Sequence, residues 1–154
     1  MDWVPKAFAK LDACSSLFLR EIGEPRQNCL RLLIEEAFVL HEEVTVAFGG
    51  TQTTGAHPVR STAISRLFEV IWDNYLAYSV TNESYGTLND SEEFSGRLSR
   101  FYSKSHFLDY ISRATLADRE YPGPLQQVQL TCECRVIDVV STRFPQVSQI
   151  GPRS

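Results

Sequence analysis

The stretch LFEVIWDNYLAYSVTNES, residues 67–84, constrains the fold more than any other part of the chain, because large apolar side chains recur in it with a period of two. The alternate positions carry Glu69, Asp73, Ser79 and Thr81 among less polar residues. Such alternation is typical of a strand with one buried face. The predicted inner face consists of Phe68, Val70, Trp72, Asn74, Leu76, Tyr78, Val80 and Asn82.

The same region also fits an amphipathic helix that Ser61 could cap. The helical stripe would be Ile64, Leu67, Phe68, Ile71, Trp72, Tyr75 and Leu76. A strand is favoured because β-branched and aromatic side chains lose rotamer freedom in a helix and pack well on a pleated surface. Asp73-Asn74 is a place where the stretch can bend into a hairpin.

Trp72 is expected to lie mostly buried on the inner face, near Phe68, Val70 and Leu76. If it instead projected into solvent beside Tyr78, it would be an anchor for a ligand or partner, because exposed aromatic clusters mark binding surfaces.

The first part of the chain predicts one short helix and a β-hairpin. Residues 1–13 place Trp3, Val4, Ala7, Phe8 and Leu11 on one side of a helix, and Pro5 suits its first turn. Residues 17–22 and 29–39 read as strands joined by the turn-forming residues 23–28. A helix over 29–39 stays open as the alternative, with Leu30, Leu33, Ile34 and Phe38 at helical spacing.

Residues 48–60 and 86–96 are predicted to be loops, because they are polar and show no apolar periodicity. Residues 97–102 read as a strand. Ser103 or Ser105 can then cap a helix whose buried stripe is Phe107, Leu108, Ile111 and Ala114 and which must end by the Pro- and Gly-containing segment 121–124.

Residues 126–141 alternate again, which predicts a strand, or a hairpin if the chain breaks at 133–135. Residues 1–145 therefore form one globular domain, and residues 146–154 are expected to be a loosely held tail. The predicted fold class is α+β, with a mainly antiparallel sheet of about five to seven strands and one or two helices packed on one face.

Composition and charge argue against binding to nucleic acids and to anionic membranes. The chain has 154 residues, of which 43% are hydrophobic, and its formal net charge is -4. An acidic protein is not expected to bind nucleic acid or an anionic membrane in bulk. The basic group Arg97, Arg100, Lys104, His106 and Arg113 is interpreted as a solvated face.

The expected location is the cytoplasm, since the N-terminus resembles no signal peptide and no segment has the roughly 18 apolar residues of a spanning helix. The four cysteines are accordingly interpreted as reduced.

No motif predicts a metal, a cofactor or a catalytic residue. Cys132-x-Cys134 could place two thiols on one face of a strand, but a structural zinc site needs four ligands. His41-Glu42-Glu43 lacks the second histidine of a zincin, because Thr45 stands there. The glycines of residues 49–55 lead to Ala56-His57-Pro58 instead of the Lys and Ser or Thr of a P-loop, which argues against phosphate binding.

The best candidate site follows the central strand, where Asn82, Glu83, Ser84 and Tyr85 leave its end together. Further candidates could converge on it from the strand itself or from its neighbour: Trp72, Tyr78, Tyr102, Lys104 and His106. The structural alternative is an Asn-mediated turn without a ligand.

Four segments resemble a group of small uncharacterised bacterial proteins: WDNYLAYSVTNESY, FYSKSHFLDYISRA, YPGPLQQVQL and VIDVVS. The resemblance implies a bacterial cytosolic origin, and it brings no activity, cofactor or site residue.

Two functions are expected from these observations. The first is a protein-interaction module of the immunity-protein or antitoxin kind, because the chain is acidic and has no catalytic signature. The alternative is a small-molecule-binding protein or enzyme with its site near the end of the central strand. Whether the protein is an enzyme, and its oligomeric state, stay open.

Overall fold

A computed structural model describes residues 6–40, 44–48, 51–56, 58–86, 90–117 and 120–152, with side chains left undescribed over 44–56. These residues form two α-helices, a short 3-10 helix and twelve β-strands. The helices are α1 (Lys6–Asp12), α2 (His106–Ala114) and the 3-10 helix (Glu83–Tyr85). The strands are β1 (Ser16–Gly23), β2 (Leu30–Val39), β3 (Val44–Phe48), β4 (Thr51–Ala56), β5 (Val59–Arg60), β6 (Arg66–Trp72), β7 (Tyr75–Asn82), β8 (Glu93–Gly96), β9 (Ser99–Lys104), β10 (Gln126–Cys132), β11 (Arg135–Ser141) and β12 (Gln146–Pro152).

The strands form two five-stranded sheets and one two-stranded sheet. The first sheet has the order β1-β2-β6-β12, with β5 also beside β2, and the second has the order β7-β11-β10-β9-β8. β3 pairs with β4. Every pairing among the described strands is antiparallel. The predicted α+β class with a mainly antiparallel architecture is confirmed, but the expected single sheet of five to seven strands is replaced by this arrangement.

The two large sheets pack their inner faces around one hydrophobic core. In the first sheet, Trp72 of β6 lies opposite Leu30 of β2, and Phe68 lies opposite Ile34. The second sheet contributes Phe101, Val128, Leu130, Cys132, Ile137 and Val139. Helix α1 inserts Phe8 edge-on to Phe101, with 4.8 Å between the ring centroids. Burying each large apolar side chain stabilises the fold by about 1.5 to 3 kcal/mol. Each strand therefore turns the face that carries its alternating apolar residues toward the core.

The strand interpretation of residues 67–84 is confirmed, but the predicted hairpin is wrong. β6 pairs with β2 and β12, whereas β7 pairs with β11, so the bend at Asp73-Asn74 carries the chain from one sheet to the other. The N–H of Tyr75 donates to the carbonyl of Asn28 at 3.1 Å, which fixes this corner to the β1–β2 turn. Backbone groups at such a corner need partners from elsewhere in the chain, because they leave one ladder before joining the next.

The predicted burial of Trp72 is confirmed, since the side chain is 2% exposed. Beyond the bend the predicted inner face persists in part, because Tyr78 and Val80 lie opposite Val139 and Ile137, which face the core. A bulge in the β7–β11 pairing skips Leu76, and Val80 is 44% exposed on a strand at the edge of its sheet. The bulge disturbs the alternation only at Leu76, so the alternation predicts the face of Tyr78 and Val80 but not how deeply each is buried.

Three segments predicted to lack regular structure contain strands: residues 48–60, residues 86–96 and the tail. Within 86–96, residues 93–96 form β8, which pairs with β9. Within 48–60, β4 pairs with β3, and β5 pairs with β2. The β-branched threonines of 51–54 favour an extended backbone. Pairing with β3 provides its backbone hydrogen bonds, so the segment forms a strand without an apolar stripe. In the predicted tail, residues 146–152 form β12, which pairs with β6 and completes the first sheet.

The predicted hairpins at both ends of the chain are present. β1 pairs with β2, which excludes the helix over 29–39, and β10 pairs with β11 around a two-residue loop at Glu133-Cys134. Cys132 is buried and Cys134 is exposed in the loop, so the two thiols do not share a strand face. All four cysteines are free.

Helix α2 begins as the sequence predicts. Ser105 is its N-cap, and its hydroxyl accepts the N–H of Leu108 at 3.0 Å. Ile111 is buried and Phe107 and Leu108 are half-buried, but Ala114 is exposed, because it lies in the last turn. In α1, Phe8 and Leu11 are buried as predicted, whereas Trp3, Val4 and Pro5 lie outside the described residues. His41, Glu42, Glu43, Gly49, Gly50 and His57 also lie outside them. Among the described helices, none is long and apolar enough to cross a membrane.

Candidate functional site

A concave pocket of about 340 Å³ lies on the outer face of the second sheet, away from the core. Strands β7, β9, β10 and β11 form its floor, and the 3-10 helix and the residue before β8 contribute to its wall. Its lining residues are Thr81, Glu83, Gly86, Glu92, Arg100, Tyr102, Gln129, Thr131, Val136 and Asp138. The volume is within the range of small-molecule sites.

Strand register explains why polar side chains meet there. Gln129 of β10 lies opposite Asp138 of β11 on one side and opposite Arg100 of β9 on the other. Directly opposed residues share a sheet face. Their neighbours Val128, Leu130, Ile137 and Val139 face the core, so the period of two places Gln129, Asp138 and Arg100 on the opposite face.

Asp138 is the best-fixed carboxyl of this pocket. Its side chain is only 9% exposed. The Oδ1 atom accepts the side-chain amide of Gln127 at 2.7 Å and that of Gln129 at 3.0 Å. Gln127 is itself buried, and its Oε1 accepts the hydroxyl of Ser105, the N-cap of α2. A buried polar group costs little when it is hydrogen-bonded, and a connected network of this kind orients it.

The pKa of Asp138 is raised above its ordinary value, and the largest cause is burial, which disfavours the charged form. The amides of Gln129 and Gln127 act in the opposite direction because they stabilise the carboxylate, and the nearby charge of Glu92 raises the pKa further. The hydrogen bonds from the two glutamine amides therefore do not fully offset the desolvation of the Asp138 carboxylate.

Two further carboxylates line the wall, and local structure positions both. Asn82 caps the 3-10 helix by accepting the N–H of Ser84 at 3.0 Å, which is the Asn-mediated turn expected as the structural alternative. That turn places Glu83 at the pocket. Glu92 accepts the backbone N–H of His106 at 3.1 Å, so it is held beside the first turn of α2.

An aromatic and cationic cluster lies at β9, where Arg100 and Tyr102 line the pocket and contact Phe94 of β8. The rings of Phe94 and Tyr102 have centroids 5.0 Å apart, and the guanidinium of Arg100 lies 4.5 Å from the Phe94 centroid. The Nε–H of Arg100 donates to the carbonyl of Arg97 at 2.9 Å. A ring face and a backbone carbonyl thus stabilise the guanidinium of Arg100. The pocket as a whole is lined by three carboxylates and one guanidinium.

The structure brings two of the predicted candidates together, Glu83 and Tyr102. Trp72 and Tyr78 pack against the core on the inner face and do not line this pocket. Asn82 acts through the backbone of Ser84, and Tyr85 is 79% exposed. Lys104 is exposed in register with Glu93, and His106 lines a different surface depression with Asp109 and Arg113.

The sequence interpretation missed Asp138, Gln129, Arg100 and Glu92. Gln129 is a polar position in an alternating strand and Arg100 belongs to a basic group, and both patterns are typical of solvent-facing residues. A carboxylate in the middle of the apolar run VIDVVS was the available signal for Asp138, because such a residue is seldom buried without a partner.

The chain matches no protein-family model, no curated protein and no solved structure. The resemblance to small bacterial proteins therefore stays a prediction. Within the described part of the chain, no three His, Cys, Asp or Glu side chains are grouped so that they could hold a metal ion.

Proposed function

We propose that the protein binds a small organic cation in the pocket on the outer face of the second sheet. The observation that carries the proposal is the buried carboxyl of Asp138, which two glutamine amides hold at the pocket floor. A carboxyl that is desolvated beside specific polar partners and lies in a cleft is a candidate functional group.

The charge of the lining favours a cation over an anion. Glu83, Glu92 and Asp138 carry carboxylates, and Arg100 carries the opposing charge. A primary ammonium or guanidinium group placed near Asp138 would replace the solvation that burial removes, and it would lower the pKa of this carboxyl. Tyr102 and Val136 offer apolar surface for the rest of the ligand.

The test is isothermal titration calorimetry at pH 8 with butylammonium, putrescine and agmatine, and with acetate as the anionic comparison. Saturable binding of at least one amine is expected. Asp138→Asn should weaken it about thirtyfold or more, since removing one partner of a buried charge pair costs about 2 kcal/mol or more.

Asp109→Asn is the matched control, because it makes the same charge change at an exposed position of α2. It should leave amine binding unchanged. Equal weakening in the two variants would mean that only net charge matters, and the proposal would be wrong. Absence of saturable amine binding would also overturn it.

The immunity- or antitoxin-like interaction module stays a prediction from the sequence. Its test is a pull-down from the native host followed by a measurement of complex stability at micromolar concentration. A stable partner complex that Asp138→Asn leaves intact would place that function on another surface.

A further inference from the structure

Strand register divides the floor of the pocket on the outer face of the second sheet into rows. Asp138 of β11 lies opposite Ser79 of β7. Two residues further along the same ladder, Val136 lies opposite Thr81. Directly opposed residues share a sheet face, and so do residues two apart on one strand. Asp138, Val136 and Thr81 all line the pocket, so the pair of Val136 and Thr81 is the row next to Asp138.

Glu83 also lines the pocket and lies beyond that row, at the end of the same ladder. Its N–H donates to the carbonyl of Cys134 at 3.1 Å, so the backbones of β7 and β11 are still adjacent there. Glu83 follows Ser79, the partner of Asp138, by four residues. At about 3.3 Å per residue, Asp138 and Glu83 are about 13 Å apart along the strands. The two acidic residues therefore lie on either side of the row.

Asp138 still has an oxygen for a ligand. The amides of Gln127 and Gln129 both donate to its Oδ1. Its Oδ2 accepts no hydrogen bond from the described residues, and it is not one of the fully enclosed unpartnered atoms among them. Asp138 is only 9% exposed, and polar groups at that depth nearly always have a partner. Oδ2 is therefore the atom that an ammonium group in the pocket would contact.

The charges of the lining favour a ligand with two positive charges. Among the described residues, Glu83 takes part in no ion pair. The guanidinium of Arg100 is held against the ring of Phe94 and the carbonyl of Arg97. The lining has three carboxylates and this one guanidinium, so two negative charges remain unbalanced when all four groups are ionised. A dication would neutralise both, whereas a monocation would leave one.

We propose that the ligand is a linear diammonium compound, with one ammonium group at Asp138, the other at Glu83 and the methylene chain over Val136. This inference rests on the proposed function, and it adds that Glu83 determines which cations bind well. Putrescine is too short for both contacts, because its nitrogens are only about 6 Å apart when extended. A chain of about six to eight methylene groups separates the nitrogens by about 9 to 11 Å and leaves room for a hydrogen bond at each carboxylate.

The experiment compares each diamine with the monoamine of the same chain length by isothermal titration calorimetry at pH 8. Hexamethylenediamine should bind about fivefold or more tightly than hexylammonium, because its second ammonium group pairs with Glu83. The preference for putrescine over butylammonium should be smaller. Glu83→Gln should lose most of the preference for hexamethylenediamine and still bind hexylammonium. Glu93→Gln is the matched control, since it makes the same change at an exposed position of β8 outside the pocket lining, and it should keep the preference.

Two results would overturn this inference alone. The first is equal affinity of the wild-type protein for hexamethylenediamine and hexylammonium. The second is a preference for the diamine that Glu83→Gln and Glu93→Gln change equally. In both cases monoamine binding that depends on Asp138 would leave the proposed function in place. If neither hexylammonium nor any diamine binds, the proposed function and this inference are both wrong.

Discussion

Trp72→Ala tests the core on which both sheets depend. Trp72 is 2% exposed, lies opposite Leu30 and belongs to the same cluster as residues of the second sheet. Replacing a buried Trp or Phe by Ala typically costs about 3 to 5 kcal/mol, which is a large share of a stability of roughly 5 to 15 kcal/mol. For a chain of this size the melting temperature should fall by about 6 to 20 °C.

Thermal unfolding followed by circular dichroism measures this fall. Ile64→Ala is the control, because Ile64 is 74% exposed and surface substitutions usually change stability by less than about 0.5 kcal/mol. Trp72→Phe should cost less than Trp72→Ala, since it keeps a ring in the core and removes an unpaired buried donor that itself costs about 1 to 3 kcal/mol. A melting temperature for Trp72→Ala equal to that of Ile64→Ala would refute the core assignment.

Two further predictions concern burial of titratable groups. The raised pKa of Asp138 means that, above its ordinary pKa of about 3.9, the folded state binds more protons than the unfolded state, so this group lowers stability as the pH rises. The melting temperature of ligand-free Asp138→Asn relative to wild type should therefore increase from pH 4 to pH 7; a difference that is constant or decreases with pH would contradict this. Burial raises the pKa of the Cys14 thiol to about 11 and that of Cys132 to about 12, and Cys29 is also buried. A chromogenic disulfide reagent at pH 8 should rapidly modify Cys134 alone and lose that phase in Cys134→Ser, whereas a second fast thiol would show that a buried cysteine is accessible.

The site was partly within reach of sequence reasoning. Asn82 and Glu83 at a strand end predicted a cluster of polar groups, and Tyr102 was expected to approach it. The sequence could not show that Gln127 and Asp138 are buried, because alternation predicts which face a side chain takes and not whether that face meets water. The buried Gln127 meets Ser105 at the start of α2, a contact between residues far apart in the sequence.

The sequence by itself determined the elements that depend only on neighbouring residues. The period of two specified β1, β2, β6, β10 and β11, and a serine before an apolar stripe specified the start of α2, because side-chain alternation and N-capping act over a few residues. Strand partners were decided only in the tertiary structure. β12 forms a ladder with β6, and β6 and β7 pair with different strands although they are adjacent in the sequence. Every strand offers the same backbone N–H and C=O groups, so the sequence of one strand does not specify which strand it pairs with. The two sheets and the pockets beside them therefore form only when the whole chain has folded.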